Sequence, residues 1–273
     1  MKGNSTAMSK ILFLAAASDV HTSRWANAIA QNGQEVHLLS LHPAGEPLDP
    51  RVVLHRAPYG SKVGYFTNWP WAGRVVRQLA PDLLHVWYAS GYGTLGALLD
   101  FHPTVMSVFG TDVFKFPHLS RWHKALLEFN LSRADRILSC SHTMAEATRQ
   151  FTHRSVEVVP WGVDLTRFRP QQVPSLFTSE DIVIGTVKKL EETYGIKYLI
   201  QAFALLKQKL NDWPLKLLIV GKGVQESYLK HLAQDLGVAQ DTIFTGYVPH
   251  TDVPRYQNML TISVSVSLSE SFG

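Results

Sequence analysis

A chain of 273 residues with 45% hydrophobic and 18% charged residues has the composition of a folded α/β protein, long enough to need no covalent staples. Its formal charge of +4 is spread along the chain without a block of like charges or a nucleic-acid motif; this argues against nucleic acid and suits an anionic small ligand or membrane face. The single cysteine, Cys140, excludes an internal disulfide, and its place after Ile137-Leu138 predicts a buried strand-end residue rather than a nucleophile.

Residues 1–10 are polar, and Met8 is a candidate natural start. The apolar run 11–17 is too short for a signal peptide or a membrane span and reads as a first strand. A helix is expected over 24–31, stopped by Asn32-Gly33, then strands over 36–40 and 52–55. A helix over 71–79 leads through Pro81-Asp82 to a strand over 83–86. Next come a helix over 93–99, a strand over 104–108, a helix over 121–132 and a strand over 135–139. Thr143-Met144-Ala145-Glu146 has the form of a capping box, and 156–159 closes the first alternation. Residues 160–180 lose all period. The alternation then restarts with strands over 182–187, 215–220, 242–245 and 261–266, helices over 198–209 and 226–236, and a helical turn over 252–259. The expected organisation is a first domain over 8–165, a linker over 166–180 and a second domain over 181–273. The second alternation stops without a closing helix and is expected to be cut short.

Several signals carry little. Gly91-Tyr92-Gly93-Thr94-Leu95-Gly96 matches the dinucleotide glycine pattern, but it follows a late strand and lacks the acidic partner, so an oxidoreductase is the distant alternative. The twelve histidines show no pair at ligand spacing and Asp-x-Asp is absent, so no metal site is expected. Trp69-Pro70-Trp71 with Arg74 and Arg77 fits either a packed helix start or an anionic membrane face.

The informative pieces stand after strands. Gly221-Lys222-Gly223, between a strand and a helix, brings backbone N–H groups to an anion. Lys188 and Lys189 end a strand, where crevices form in parallel sheets and a lysine neutralises phosphate without a metal. In the first half, Asp112 follows the strand over 104–108, where an Asx turn or helix cap is the plainer use. The loop after the first strand, Ser18 to Arg24, is polar and carries His21.

In this order, the motifs resemble the retaining glycosyltransferases of family 4, the group 1 transferases of bacterial polysaccharide and lipopolysaccharide synthesis. His21-Thr22-Ser23-Arg24-Trp25 resembles the family's opening loop, and His85-Val86-Trp87-Tyr88-Ala89-Ser90-Gly91 one of its branches. Pro160-Trp161-Gly162-Val163-Asp164 is similar to its inter-domain signature, and Val187-Lys188-Lys189-Leu190 with Tyr194-Gly195 to its phosphate loop. Gly246-Tyr247-Val248 resembles the base-facing segment, and Ser267-Leu268-Ser269-Glu270-Ser271-Phe272-Gly273 the first half of a two-glutamate motif whose second member would fall beyond the last residue.

The resemblance implies an α/β fold of two Rossmann-like domains facing across a cleft (GT-B), the second incomplete. It implies metal-independent transfer of a hexose from a UDP- or GDP-sugar, with no resident cofactor, to a glycan or lipid-linked acceptor. The location implied is cytoplasmic, with peripheral contact to the inner membrane face. Donor-binding residues would be Lys188, Lys189, Gly221, Gly223, Tyr247, Val248, Ser269, Phe272 and Gly273; catalytic ones, Asp112, Glu270 and His21. Lys189 replaces the usual arginine, and a second cation is missing at Thr193 or Tyr194. Phe109 replaces a common histidine, for which His21, His85 or His118 are candidate substitutes. The chain alone is expected to be inactive, with a non-catalytic nucleotide- or acceptor-binding remnant as the alternative.

Overall fold

The computed structural model of the protein describes residues 8–270, which fall into two compact units, one ending at Trp161 and the other beginning at Gly162. The first unit alternates β1 (Lys10–Leu14), α1 (Val20–Gln31), β2 (Glu35–Ser40), β3 (Val52–Arg56), α2 (Gly64–Thr67), α3 (Trp69–Leu79) and β4 (Leu83–Trp87). It continues with α4 (Gly91–Leu99), β5 (Thr104–Val108), α5 (Thr111–Phe114), α6 (Arg121–Ser132), β6 (Arg136–Ser139), α7 (His142–Arg149) and β7 (Val156–Val158). The seven strands form one parallel sheet in the order β3-β2-β1-β4-β5-β6-β7.

The central strands are apolar on both faces because both are covered. One face sets Leu12, Leu14, Leu84, Val86, Met106 and Ile137 against α3, α4, α6 and α7 through Val76, Leu95, Leu131 and Met144. The other sets Phe13, Val36 and Leu38 against Ala26 and Ala30 of α1. A parallel sheet gathers all its strand-to-helix loops on one edge, so the segments after β1, β4 and β5 are neighbours.

The second unit holds β8 (Ile182–Val187), α8 (Ile196–Lys209), β9 (Leu215–Val220), α9 (Glu226–Asp235), β10 (Thr242–Phe244), α10 (Val253–Gln257) and β11 (Ile262–Ser263). Its parallel sheet runs β10-β9-β8-β11. Ile196, Ile200 and Phe203 of α8 and Leu229 and Ala233 of α9 cover one face. On the other, Val173 and Phe177 pack beside Val183, Leu218 and Met259, so residues 166–180, which hold no helix or strand, lie against the second sheet.

Local signals shift some boundaries. α1 begins at Val20, not residue 24, because Asp19 caps it: its backbone is extended and its carboxylate accepts from His21 N. The capping box expected at 143–146 does not form. Ser141 is the cap, extended at φ −147° and accepting from Met144 N at 3.3 Å, which puts Thr143 inside α7. The glycines of 91–96 open α4 and serve packing: a Cβ on Gly91 would lie 2.6 Å from the Tyr65 ring, and one on Gly96 2.7 Å from Val86. The last expected strand shortens to Ile262–Ser263 at the sheet edge, with Ile262 exposed. Trp69 and Pro70 start α3 on the surface, whereas Trp71 packs into the core. Among the described residues no helix is long and apolar enough to cross a membrane.

Candidate functional site

In the second unit the strand-end loops are tied together by their backbones. Lys188 N donates to Val220 O at 3.0 Å, Leu190 N to Lys222 O at 3.2 Å, and Gln225 N to Leu190 O at 2.9 Å. Gly221 N donates to Gly246 O at 3.0 Å, bringing the base-facing segment of the resemblance beside the glycine turn. The approach requires glycine: Gly221 has φ +141°, and a Cβ there would lie 1.9 Å from Lys188 O. A Cβ on Gly223 would lie 2.2 Å from Leu190 O.

At this edge Lys188 Nζ lies 2.9 Å from Glu270 Oε1 and 5.5 Å from the centroid of the Tyr194 ring. Burial works to raise the Glu270 carboxyl, but the Ser267 side chain and the Lys188 ammonium outweigh it and hold it below its usual value. Lys188 thus brings a cation to the face of Tyr194, where the resemblance left a charge unaccounted for. Lys189 is exposed. Tyr247 is largely exposed, Val248 packs against the sheet and Ser269 is exposed. Phe272 and Gly273 lie outside the described residues.

In the first unit Asp112 is 1% exposed and sits in the first turn of α5, whose cap position is Gly110. Its Oδ2 accepts from Ala89 N at 2.8 Å, and its Oδ1 from Phe109 N at 3.0 Å and Gly110 N at 2.8 Å. Burial pushes the carboxyl above its ordinary range, against the pull of those backbone N–H groups. The side chain therefore ties the loop after β4 to the loop after β5. Phe109 is buried among Trp87, Tyr88 and Trp161, with ring centroids 4.7, 4.6 and 5.1 Å away. The place the resemblance gave to an imidazole is thus an aromatic cluster.

The candidate histidines are dispersed. His21 packs on Trp161 with centroids 4.1 Å apart. His85 is buried with Nε2 2.8 Å from Ser107 Oγ, and burial pushes it down to about 4, so it is a neutral ring at neutral pH. His118 is exposed beside Phe151. Among the described residues no group of three His, Cys, Asp or Glu is placed to hold a metal.

The sequence reading passed over a cavity at the strand-end edge of the first unit. It measures about 300 Å³ and is lined by Ala16, Ser18 and Asp19 after β1, His42 after β2, Tyr65 of α2, and Tyr88, Ser90, Gly91 and Tyr92. Tyr88 holds φ +69°, a left-handed backbone that a bulky residue seldom adopts, and its phenol stands 3.5 Å from Asp19 Oδ2. Tyr92 Oη is anchored by Leu41 N at 3.0 Å and His42 Nδ1 at 2.8 Å. Asp19, Tyr88 and Tyr92 lie in motifs already singled out, but nothing in the pattern of 58–68 announces Tyr65.

Comparison with known proteins gives the family. A glycosyl transferase 4-like model matches residues 10–141, and a glycosyl transferases group 1 model matches 168–273. The putative teichuronic acid biosynthesis glycosyltransferase TuaC of Bacillus subtilis is 27% identical over 71% of this chain. The match covers 49% of TuaC, so the chain spans about half the length of that relative. Among solved structures, sucrose-phosphate synthase from Thermosynechococcus elongatus superposes with a TM-score of 0.75 at 16% identity, covering 96% of this chain and 76% of that one. Anabaena HepE, in complex with UDP and glucose, gives 0.69 at 17%, covering 97% and 76%. The dinucleotide reading of 91–96 gives way to helix packing, and the fold is that of GT-B transferases. The chain consists of a glycosyl transferase 4-like domain followed by a glycosyltransferase group 1 domain.

Proposed function

We propose that the protein transfers a hexose from a UDP- or GDP-sugar to a glycan or lipid-linked acceptor, with retention and without a divalent metal, in the synthesis of cell-surface polysaccharide. The observation that carries this reading is the Lys188–Glu270 pair beside the glycine-tight loops of the second unit. The diphosphate lies against Lys188, Lys189 and the N–H groups around Gly221 and Gly223, ahead of α9. As the bond to the sugar breaks, negative charge grows on the leaving phosphate, and these fixed donors stabilise it with little reorganisation. Glu270, released from Lys188, accepts hydrogen bonds from the sugar hydroxyls. Tyr247 and Val248 face the base.

The acceptor is held by the first unit. Asp112 acts there as a positioning residue, because its oxygens are already engaged by backbone N–H groups. The aromatic cluster around Phe109 offers no nucleophile, which supports same-face displacement over a covalent intermediate. A cell-surface product accords with the teichuronic acid relative. Exposed Tyr59, Val63, Phe66 and Trp69 support peripheral contact with an anionic inner membrane face, since residues 51–80 carry five cations and no acid.

The test is sugar-nucleotide turnover by the full-length protein in excess chelator, with the product anomer read by NMR. Release of UDP or GDP with the donor's α configuration kept is expected. Turnover that requires added divalent metal, or an inverted product, would overturn the proposal.

A further inference from the structure

The cavity between Asp19 and Tyr65 has a chemistry that selects its occupant. Three tyrosines, Tyr65, Tyr88 and Tyr92, contribute aromatic walls, with the Tyr65 and Tyr92 rings edge to face at 5.1 Å. Phe109 stacks on Tyr88 at an interplanar angle of 22° and stiffens that wall from behind. The polar groups converging on the space are the Asp19 carboxylate, the Tyr88 phenol, Ser18, Ser90 and His42. Among the described residues no lysine or arginine lines it, although the Arg56 charge is felt at Tyr92. Burial, with the charges of Asp19 and Asp112, pushes the Tyr88 phenol well above its ordinary value, and burial does the same at Tyr65. Both therefore stay neutral hydroxyl donors.

We infer that this cavity binds one uncharged pyranose ring of the acceptor glycan and discriminates against uronic acids and sugar phosphates. The inference rests on the proposed glycosyl transfer and names the acceptor class for it. A pyranose presents C–H faces that lie on aromatic rings and equatorial hydroxyls that hydrogen-bond at their edge. The Asp19 carboxylate accepts from such hydroxyls in charge-assisted bonds. The same carboxylate repels a sugar carboxylate or phosphate, and no lysine or arginine among the described lining residues offsets that repulsion. The volume, about 300 Å³, is at the small end for ligand pockets and fits a single ring rather than an oligosaccharide. Gly91 belongs to the design, since a side chain there would run into the Tyr65 ring. The left-handed backbone of Tyr88 is local strain of the sort that gathers at binding sites.

Asp19 also caps α1, so its two roles must be separated. Asparagine caps a helix about as well as aspartate but carries no charge. The experiment is saturation-transfer NMR on the whole chain with methyl gluco-, galacto- and mannopyranosides and their uronate counterparts, with UDP as a separate probe of the second unit. At least one neutral glycoside should receive saturation on its ring C–H protons and bind about tenfold or more tightly than its uronate, the scale of one charged hydrogen bond gained or lost. Asp19→Asn should shrink that ratio to about threefold or less, with α1 intact by circular dichroism. Tyr65→Leu should remove the signal from both sugars.

A uronate that binds as well as its neutral partner, or an unchanged ratio in Asp19→Asn, would overturn the inference. UDP binding without any pyranoside signal would overturn it alone. Absence of both would remove the transferase reading as well.

Discussion

Asp112, expected from the resemblance to be catalytic, ties two loops together in the fold. Its place after a strand is the right one for a catalytic acid, but both oxygens accept backbone N–H bonds and the side chain is 1% exposed. A buried ionised carboxylate is tolerated only while those donors satisfy it. Asp112→Asn presents one acceptor oxygen and one N–H₂ group to the same three donors, so at least one buried N–H loses its partner. Urea denaturation should show a loss of about 2 kcal/mol, the cost of an unsatisfied buried group. UDP affinity should stay within about twofold, a change of less than 0.5 kcal/mol. A stable variant would show that these bonds are dispensable. The position of Asp112 was legible from the strand before it; its commitment was not, because Ala89 is brought to it only by tertiary folding. Phe109 was legible as a departure from histidine, and its partners Trp87, Tyr88 and Trp161 came only with the structure.

At the scale of elements, strand-to-helix turns carry the proposed donor site, and glycine decides how closely they approach. The turn after β9 touches the loop after β8 so tightly that a methyl group on Gly221 would meet Lys188 O, at a φ that penalises any side chain. Gly221→Ala should destabilise the second unit by about 1–3 kcal/mol, the usual cost of forced backbone strain. It should also weaken UDP binding through displacement of Lys188, whereas Gly237→Ala, with open space around it, should leave binding intact. Calorimetric titration of the two variants checks this, and equal affinities would separate the glycine turn from the phosphate site. The run of elements was legible because buried parallel strands read as short apolar blocks between amphipathic helices. Helix starts were less so. Thr143 and Ser141 are both competent caps, and only the extended backbone at Ser141 selects between them. Tyr65, on a four-residue helix, has too short a period to be noticed.

For the molecule as a whole, the proposed function divides the work between the two units. The second gathers Lys188, Glu270 and the glycine turn at its strand ends, and the first gathers Asp19 and the three tyrosines at its own. Each set uses the edge to which parallel strands deliver their loops, so one topological rule accounts for the position of both proposed sites. The family match agrees with this division, with one model over each part of the chain. Nucleotide specificity was not legible, since Tyr247 and Val248, the proposed base-facing residues, present little polar chemistry to tell one base from another.

The most direct measurement is calorimetric titration of UDP and GDP into the wild-type chain and Lys188→Met in excess chelator. One nucleotide should bind the wild type, and the substitution should weaken it about tenfold, as expected for loss of one charged phosphate contact. Binding of neither nucleotide, or equal affinity in the two proteins, would contradict a donor site built on Lys188 and its loops.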